Sequence, residues 1–121
     1  MSTWQEFVTE LSGSDVLNFI ERQALDEWGG DIPTTVLFGK FGKAIVDHFG
    51  ELQPERRAHI FRVIEKGLDD RDVPLKALVA TGLLEALYLR AAGIPGRWDE
   101  IRKYLGPVSA SYLMEWGNPQ Q

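Results

Sequence analysis

The run VPLKALVATGLLEALYLRAAG, from Val73 to Gly93, is the most apolar stretch of the chain, and its reading sets the fold. Asp72 can cap its start, Pro74 fits an early helical position where its missing N–H costs nothing, and Gly93 can close it in the left-handed conformation. At about 100° per residue, Lys76 and Arg90 fall on one narrow strip and Glu85 nearly opposite. Aliphatic residues cover most of the remaining circumference. A helix apolar almost all round is a central one. The expectation is therefore a buried helix over about residues 74–92 with the rest of the chain packed around it.

Upstream, Ser2 and Gln5 have capping-box spacing ahead of a short helix with Trp4, Phe7, Val8 and Leu11 on one face. Ser14 can cap a second helix with the stripe Leu17, Ile20, Ala24 and Trp28, which Gly29 and Gly30 end. Thr34 or Thr35 then caps a third, about Val36 to Phe49, which turns Leu37, Phe38, Phe41, Ala44, Ile45 and Phe49 inward. Its Gly39 and Gly42 each lower helix propensity by about 1 kcal/mol, so they mark close helix contact or an early break. Pro54 opens a fourth helix with Arg57, Ile60, Phe61, Ile64 and Leu68 on one side; Glu55, Arg56, Arg62, Glu65 and Lys66 are left largely to water.

Downstream of the central helix, Arg97 to Leu105 reads as a sixth, with Trp98, Ile101 and Leu105 aligned. Pro107 starts a seventh, through Ala110, Leu113 and Met114 to Trp116. No segment alternates with period two between turn signals, so no sheet is expected. The fold class is all-α: one compact domain over residues 1–121, a bundle of about seven helices.

Composition narrows the function. A chain of 121 residues with 44% hydrophobic residues can build one core unaided. Cysteine is absent, which removes disulfides, thiolate nucleophiles and cysteine metal sites and fits a reducing compartment. The formal net charge of −5 disfavours nucleic acid and anionic membranes as partners and favours a basic one. The amino terminus lacks a charged segment followed by an apolar one, so the cytoplasm is expected. Lys76, Glu85 and Arg90 interrupt the one long apolar run, which marks it as core and not a membrane span.

Few motifs suggest chemistry. Phe38 to Ile45, FGKFGKAI, has the glycine and lysine spacing of the backbone-clamping loop of KH domains. The strands that flank such a loop are missing, and the GK[ST] ending of a phosphate loop is missing too. His48 with Asp47 and Glu51, and His59 with Glu55, place imidazole and carboxylate one helical turn apart. Those residues fall on wheel positions that face water, whereas metal sites in helical bundles use several buried carboxylates. Ser109 and Ser111 have no visible His and Asp partners. No cofactor, metal site or catalytic residue is expected. Glu85, set among Leu78, Thr81, Gly82, Tyr88 and Leu89, is expected to be partly buried and to reach a structural partner such as an Arg, Tyr or Trp.

Tryptophan beside acid suits a protein interface, because aromatic side chains anchor binding while carboxylates steer a basic partner. Glu27 with Trp28, Trp98 with Asp99 and Glu100, and Glu115 with Trp116 carry both features, and the acidic turn Asp69, Asp70 and Asp72 before the central helix supplies charge. Of these, the Trp98 group is the favoured anchor.

The segment LDDRDVPLKALVATGLLEALYLRAAG, followed by RWDEIRKYLGPVSASYLMEW, resembles a family of small bacterial helical proteins, some associated with immunity genes of polymorphic toxin systems. Val79 to Glu85 and Leu105 to Pro107 carry the likeness most strongly. The resemblance implies an immunity protein that neutralises a cognate toxin domain by occluding it, and it supplies no contact or catalytic residue. A helical adaptor with a non-toxin partner is the alternative, followed by a small metal-binding or enzymatic protein using Glu85 or the His48 and His59 region.

Overall fold

In the computed structural model, which describes residues 3–12, 15–28 and 32–117, seven helices follow one another and no strand occurs among the described residues. Helix α1 (Trp4–Leu11) opens on a capping box one residue later than the sequence spacing suggests: Thr3 Oγ1 accepts from Glu6 N–H and the Glu6 carboxylate accepts from Thr3 N–H, both at 3.2 Å. Ser2, Ser14 and the Gly29–Gly30 stop lie outside the described residues. Helix α2 (Asp15–Trp28) buries Leu17 and Ala24 but leaves Trp28 exposed, so the apolar stripe runs past its cover.

Helix α3 (Thr34–Asp47) starts two residues before Val36, on Pro33, without a side-chain cap. A short 3-10 turn, Phe49–Glu51, carries Phe49 into the core. The stretch 38–45 is internal to α3, so no glycine loop of the KH kind exists there. All six residues expected to face inward from this region are buried. Helix α4 (Pro54–Leu68) buries Ile60, Phe61, Ile64 and Leu68 as expected, and Val63 besides. Arg57 completes that face in a different way. Its guanidinium lies 4.1 Å from the Phe49 ring centre, and its Nε donates to the Phe49 carbonyl at 3.1 Å.

Helix α5 (residues 73–92) is the central element, capped by Asp72 through Leu75 N–H at 2.9 Å. It departs from the expected helix in two ways. First, it is not buried all round: the buried side centres on the stripe Leu75, Val79, Leu83, Leu87 and Ala91, flanked by buried Ala80, Gly82 and Leu84, while Val73 (71% exposed) and Leu89 (62%) face out with Lys76 and Arg90. Second, it is not one α-helix. Between Val73–Ala77 and Glu85–Ala92 the segment Leu78–Leu84 is π-helical, so that Glu85 N–H reaches back to the Ala80 carbonyl.

The two departures share a cause. The core stripe repeats every four residues, and in a regular helix four such steps would drift by about 160°. Wider i→i+5 turns absorb that drift and keep the stripe on α3. Gly93 ends α5 at φ −85°, and the left-handed residue is Gly96 (φ 81°) in the following turn.

Helix α6 (Arg97–Ile101) tightens into a 3-10 turn, Arg102–Tyr104, and α7 (Pro107–Gly117) closes the fold. In α7, among the described side chains, Ser109 and Leu113 are buried, whereas Met114 is 67% exposed. The core is a single cluster, an all-α domain with α3 packed between α2 and α5. No helix among the described residues is long and apolar enough to cross a membrane.

Candidate functional site

The candidate interface stretches at Trp98, at the acidic turn and at the end of α2 occupy unlike environments. Trp98 sits in the first turn of α6, half-buried, with its indole edge-on to Tyr88 at 4.9 Å. Asp99 and Glu100 are exposed, yet each is paired within its own helix turn, with Arg102 at 3.6 Å and Arg97 at 3.4 Å. Arg97 is itself committed inward, donating from Nη1 to the Val46 carbonyl at 2.8 Å. The favoured anchor is thus a core-edge residue whose neighbouring carboxylates have local partners.

In the acidic turn, the Asp70 carboxylate accepts from Asp72 N–H at 2.9 Å and the Asp72 carboxylate caps α5. Asp69 alone of the three is fully exposed, at the last residue before the turn. This turn and the Trp98 group stand before and after α5, so its length separates them.

The end of α2 differs from both. Trp28 is 44% exposed, and Asp26 and Glu27 beside it are exposed too. Glu27 reaches Lys40 of α3 at 3.4 Å. From there a groove of about 300 Å³ runs between α2 and α3, lined by Ile20, Ala24, Glu27, Lys40, Lys43 and Asp47. Trp28 follows the groove residue Glu27 in the chain without lining the groove itself, and exposed aromatic surface is the form that interface anchors take.

Two carboxylates elsewhere hold α7. Glu65, which the helical wheel gives to solvent, accepts from Val108 N–H (2.6 Å), Ser109 N–H (3.0 Å) and Ser109 Oγ (2.8 Å). It caps a helix more than 40 residues away in sequence, where a negative charge also complements the helix dipole. Gly106 makes room for it, since a Cβ there would overlap the Glu65 carboxyl carbon. A signal was present: the start of α7 reads Leu105, Gly106, Pro107, with none of the usual capping side chains before it. The acceptor comes instead from another helix, as Glu65.

Glu85 meets the expectation of a structural partner, because the Tyr112 hydroxyl donates to Glu85 Oε2 at 2.5 Å. Burial, then the hydrogen bond to Glu85 and then its charge, push the Tyr112 hydroxyl up to about 12.

The histidines do not converge. His48 Nδ1 lies 3.3 Å from Glu51, Asp47 is held by Arg90 through two hydrogen bonds of 2.8 and 2.9 Å, and His59 Nε2 lies 3.0 Å from the Glu10 carbonyl. Among the described residues no group of three or more His, Cys, Asp or Glu side chains is placed to hold a metal ion. Ser109 serves α7 through Glu65, and Ser111 is exposed.

These features define a small all-α domain whose buried polar groups maintain its own helix contacts and whose exposed aromatic side chains among the described residues, Phe19 (61%) and Trp28 (44%), both belong to α2. A family model described as a domain of unknown function (DUF7674) matches residues 14–118, and the chain belongs to that family. No curated protein and no solved structure matches it.

Proposed function

We propose that this chain is a cytoplasmic immunity protein, which binds a cognate bacterial toxin domain and occludes it, with the end of α2 as the centre of the contact. The observation that carries this reading is Trp28, 44% exposed at the end of α2 directly after the exposed carboxylates Asp26 and Glu27. Leaving an indole in water stabilises nothing in the free protein, whereas covering it contributes strongly to a complex. Asp26 beside Trp28 and the net charge of −5 suit a basic contact surface on the toxin and would speed its encounter. The resemblance of residues 68–93 and 97–116 to proteins encoded with polymorphic toxins supplies the partner class.

The test is neutralisation. The toxin domain encoded beside this gene is expressed in a bacterial host with and without the chain, and binding is measured by calorimetry. The wild-type chain should restore growth, and Trp28→Ala should lose about 2 kcal/mol of affinity or more while keeping its circular dichroism spectrum. Absence of both rescue and binding overturns the immunity reading. Full rescue and unchanged affinity in the folded Trp28→Ala variant would move the contact away from α2.

A further inference from the structure

Helix α1 is seated as a ligand would be. Trp4, Phe7, Val8 and Leu11 occupy positions i, i+3, i+4 and i+7 of an amphipathic helix, the spacing by which helices dock into grooves. Phe7 and Leu11 are fully buried, and Val8 is 3% exposed.

The receptor for Phe7 comes from three other helices. Its ring stacks on Phe38 of α3 at 5.3 Å between centres and lies on Gly67 of α4, where a Cβ would stand 2.9 Å from the ring and 2.9 Å from Val79 of α5. A glycine at this position opens a slot of the depth of one aromatic ring. Two side chains of α4 complete the site: His59 at the Glu10 carbonyl, 3.0 Å, and Lys66 at the Glu10 carboxylate, 3.3 Å.

The family match begins at residue 14, so it includes Phe38, His59, Lys66, Gly67 and Val79 but not the helix they receive. Helix α1 also carries its own capping box, through Thr3 and Glu6.

We infer that α1 is an exchangeable, autoinhibitory occupant of a helix-binding groove on the family domain. The groove's partner in trans is an amphipathic helix of another protein with α1's chemistry. It carries aromatic residues at i and i+3, aliphatic ones at i+4 and i+7, and a carboxylate at i+6 for Lys66. The shape of the slot and the charge of Lys66 select that helix. This site is separate from the end of α2, and either can fail without the other.

The probe is a fluorescent peptide of residues 2–13, added to the full chain and followed by anisotropy. The unmodified chain, its groove filled, should bind weakly. A full-chain variant with Phe7→Ser and Leu11→Ser should bind at least tenfold more tightly, and a peptide carrying Phe7→Ala should lose at least tenfold. A folded double variant that ignores the peptide overturns the inference. Should that variant fail to fold alone, recovery of its helical signal on adding peptide supports the groove, and no recovery overturns it.

Hydrogen exchange on the unmodified chain is the second measurement. Amides of α1 should open while those of α3 stay protected, and equal protection of the two would show that α1 does not leave. A concentration-dependent dimer that the peptide dissolves would assign the groove to a second copy's α1 and overturn the partner reading.

Discussion

The α3–α5 seam and the attachment of α7 solve the same problem by different means. At the seam, backbone stands against backbone. A Cβ on Gly42 would overlap the Leu83 carbonyl and stand 3.0 Å from Leu87 N, and the π-helical turns keep a four-residue stripe on the line of contact. At α7, a modest buried set, Ser109 and Leu113, is supplemented by two carboxylates, Glu65 from α4 and Glu85 from α5. The seam is held by shape and α7 by hydrogen bonds, so the two should respond to different insults. Shape fails when atoms are added, and hydrogen bonds fail when one partner is removed.

The largest effect should come from adding one carbon to the seam. Gly42→Ala places a methyl group where backbone already stands, and neither helix can move without uncovering core. A loss of about 3 kcal/mol or more in urea melts is expected, the upper end for overpacking. A loss below about 1 kcal/mol would mean that the helices slide apart freely and that the seam is no closer than an ordinary contact.

Second in size is removal of the α7 cap. Glu65→Ala strands two N–H groups and a buried hydroxyl, and hydrogen bonds to a charged group contribute about 1.5–3 kcal/mol. Glu65→Gln keeps an acceptor and should cost less. Gln costing as much as Ala would show that the negative charge at the helix terminus, and not the acceptor geometry, holds α7.

The same contrast explains what the sequence discloses. The seam is legible because its information is local: the apolar run 73–93 names the central helix, and Gly42 inside a helical stripe announces close approach. Even the π-helix leaves a trace in the exact four-residue spacing of Leu75, Val79, Leu83, Leu87 and Ala91, which a regular wheel at 100° per residue smears over both faces. The α7 attachment is hardly legible, since Glu65 and Ser109 are 44 residues apart and a charged side chain on a polar helix face defaults to solvent. For the candidate interface, composition selects tryptophans beside acids but is silent on cover. Trp98 finds Tyr88, whereas Trp28 is left 44% exposed at the end of its helix.

Third is the other carboxylate on α7. Tyr112→Phe removes the donor to Glu85 and should cost about 1.5 kcal/mol near neutral pH. The pH dependence has a definite sign. The folded chain raises Tyr112 from 10.0 to about 12, so it holds the proton more tightly than the unfolded chain. The resulting stability is complete below pH 10 and is lost as pH rises toward 12. Parallel melts of wild type and Tyr112→Phe should therefore converge across that window. A constant gap would assign the cost to lost packing and not to the hydrogen bond.

The smallest effect, and the one of opposite sign, belongs to Gly39. It lies three residues before Gly42 in the same helix, and sequence alone gives the two glycines one reading. Their surroundings differ: a Cβ on Gly39 would have the Gly82 carbonyl at 3.7 Å as its neighbour, an ordinary van der Waals distance. With no overlap to relieve, replacing glycine by alanine restricts the unfolded chain and favours the helix, a gain of up to about 1 kcal/mol. Gly39→Ala should raise the urea midpoint without changing its slope, while Gly42→Ala lowers it. Two like substitutions on adjacent turns moving stability in opposite directions would locate the seam to within one helical turn. If Gly39→Ala also destabilises, the close contact extends along α3 past Gly42, and the seam is broader than the backbone positions indicate.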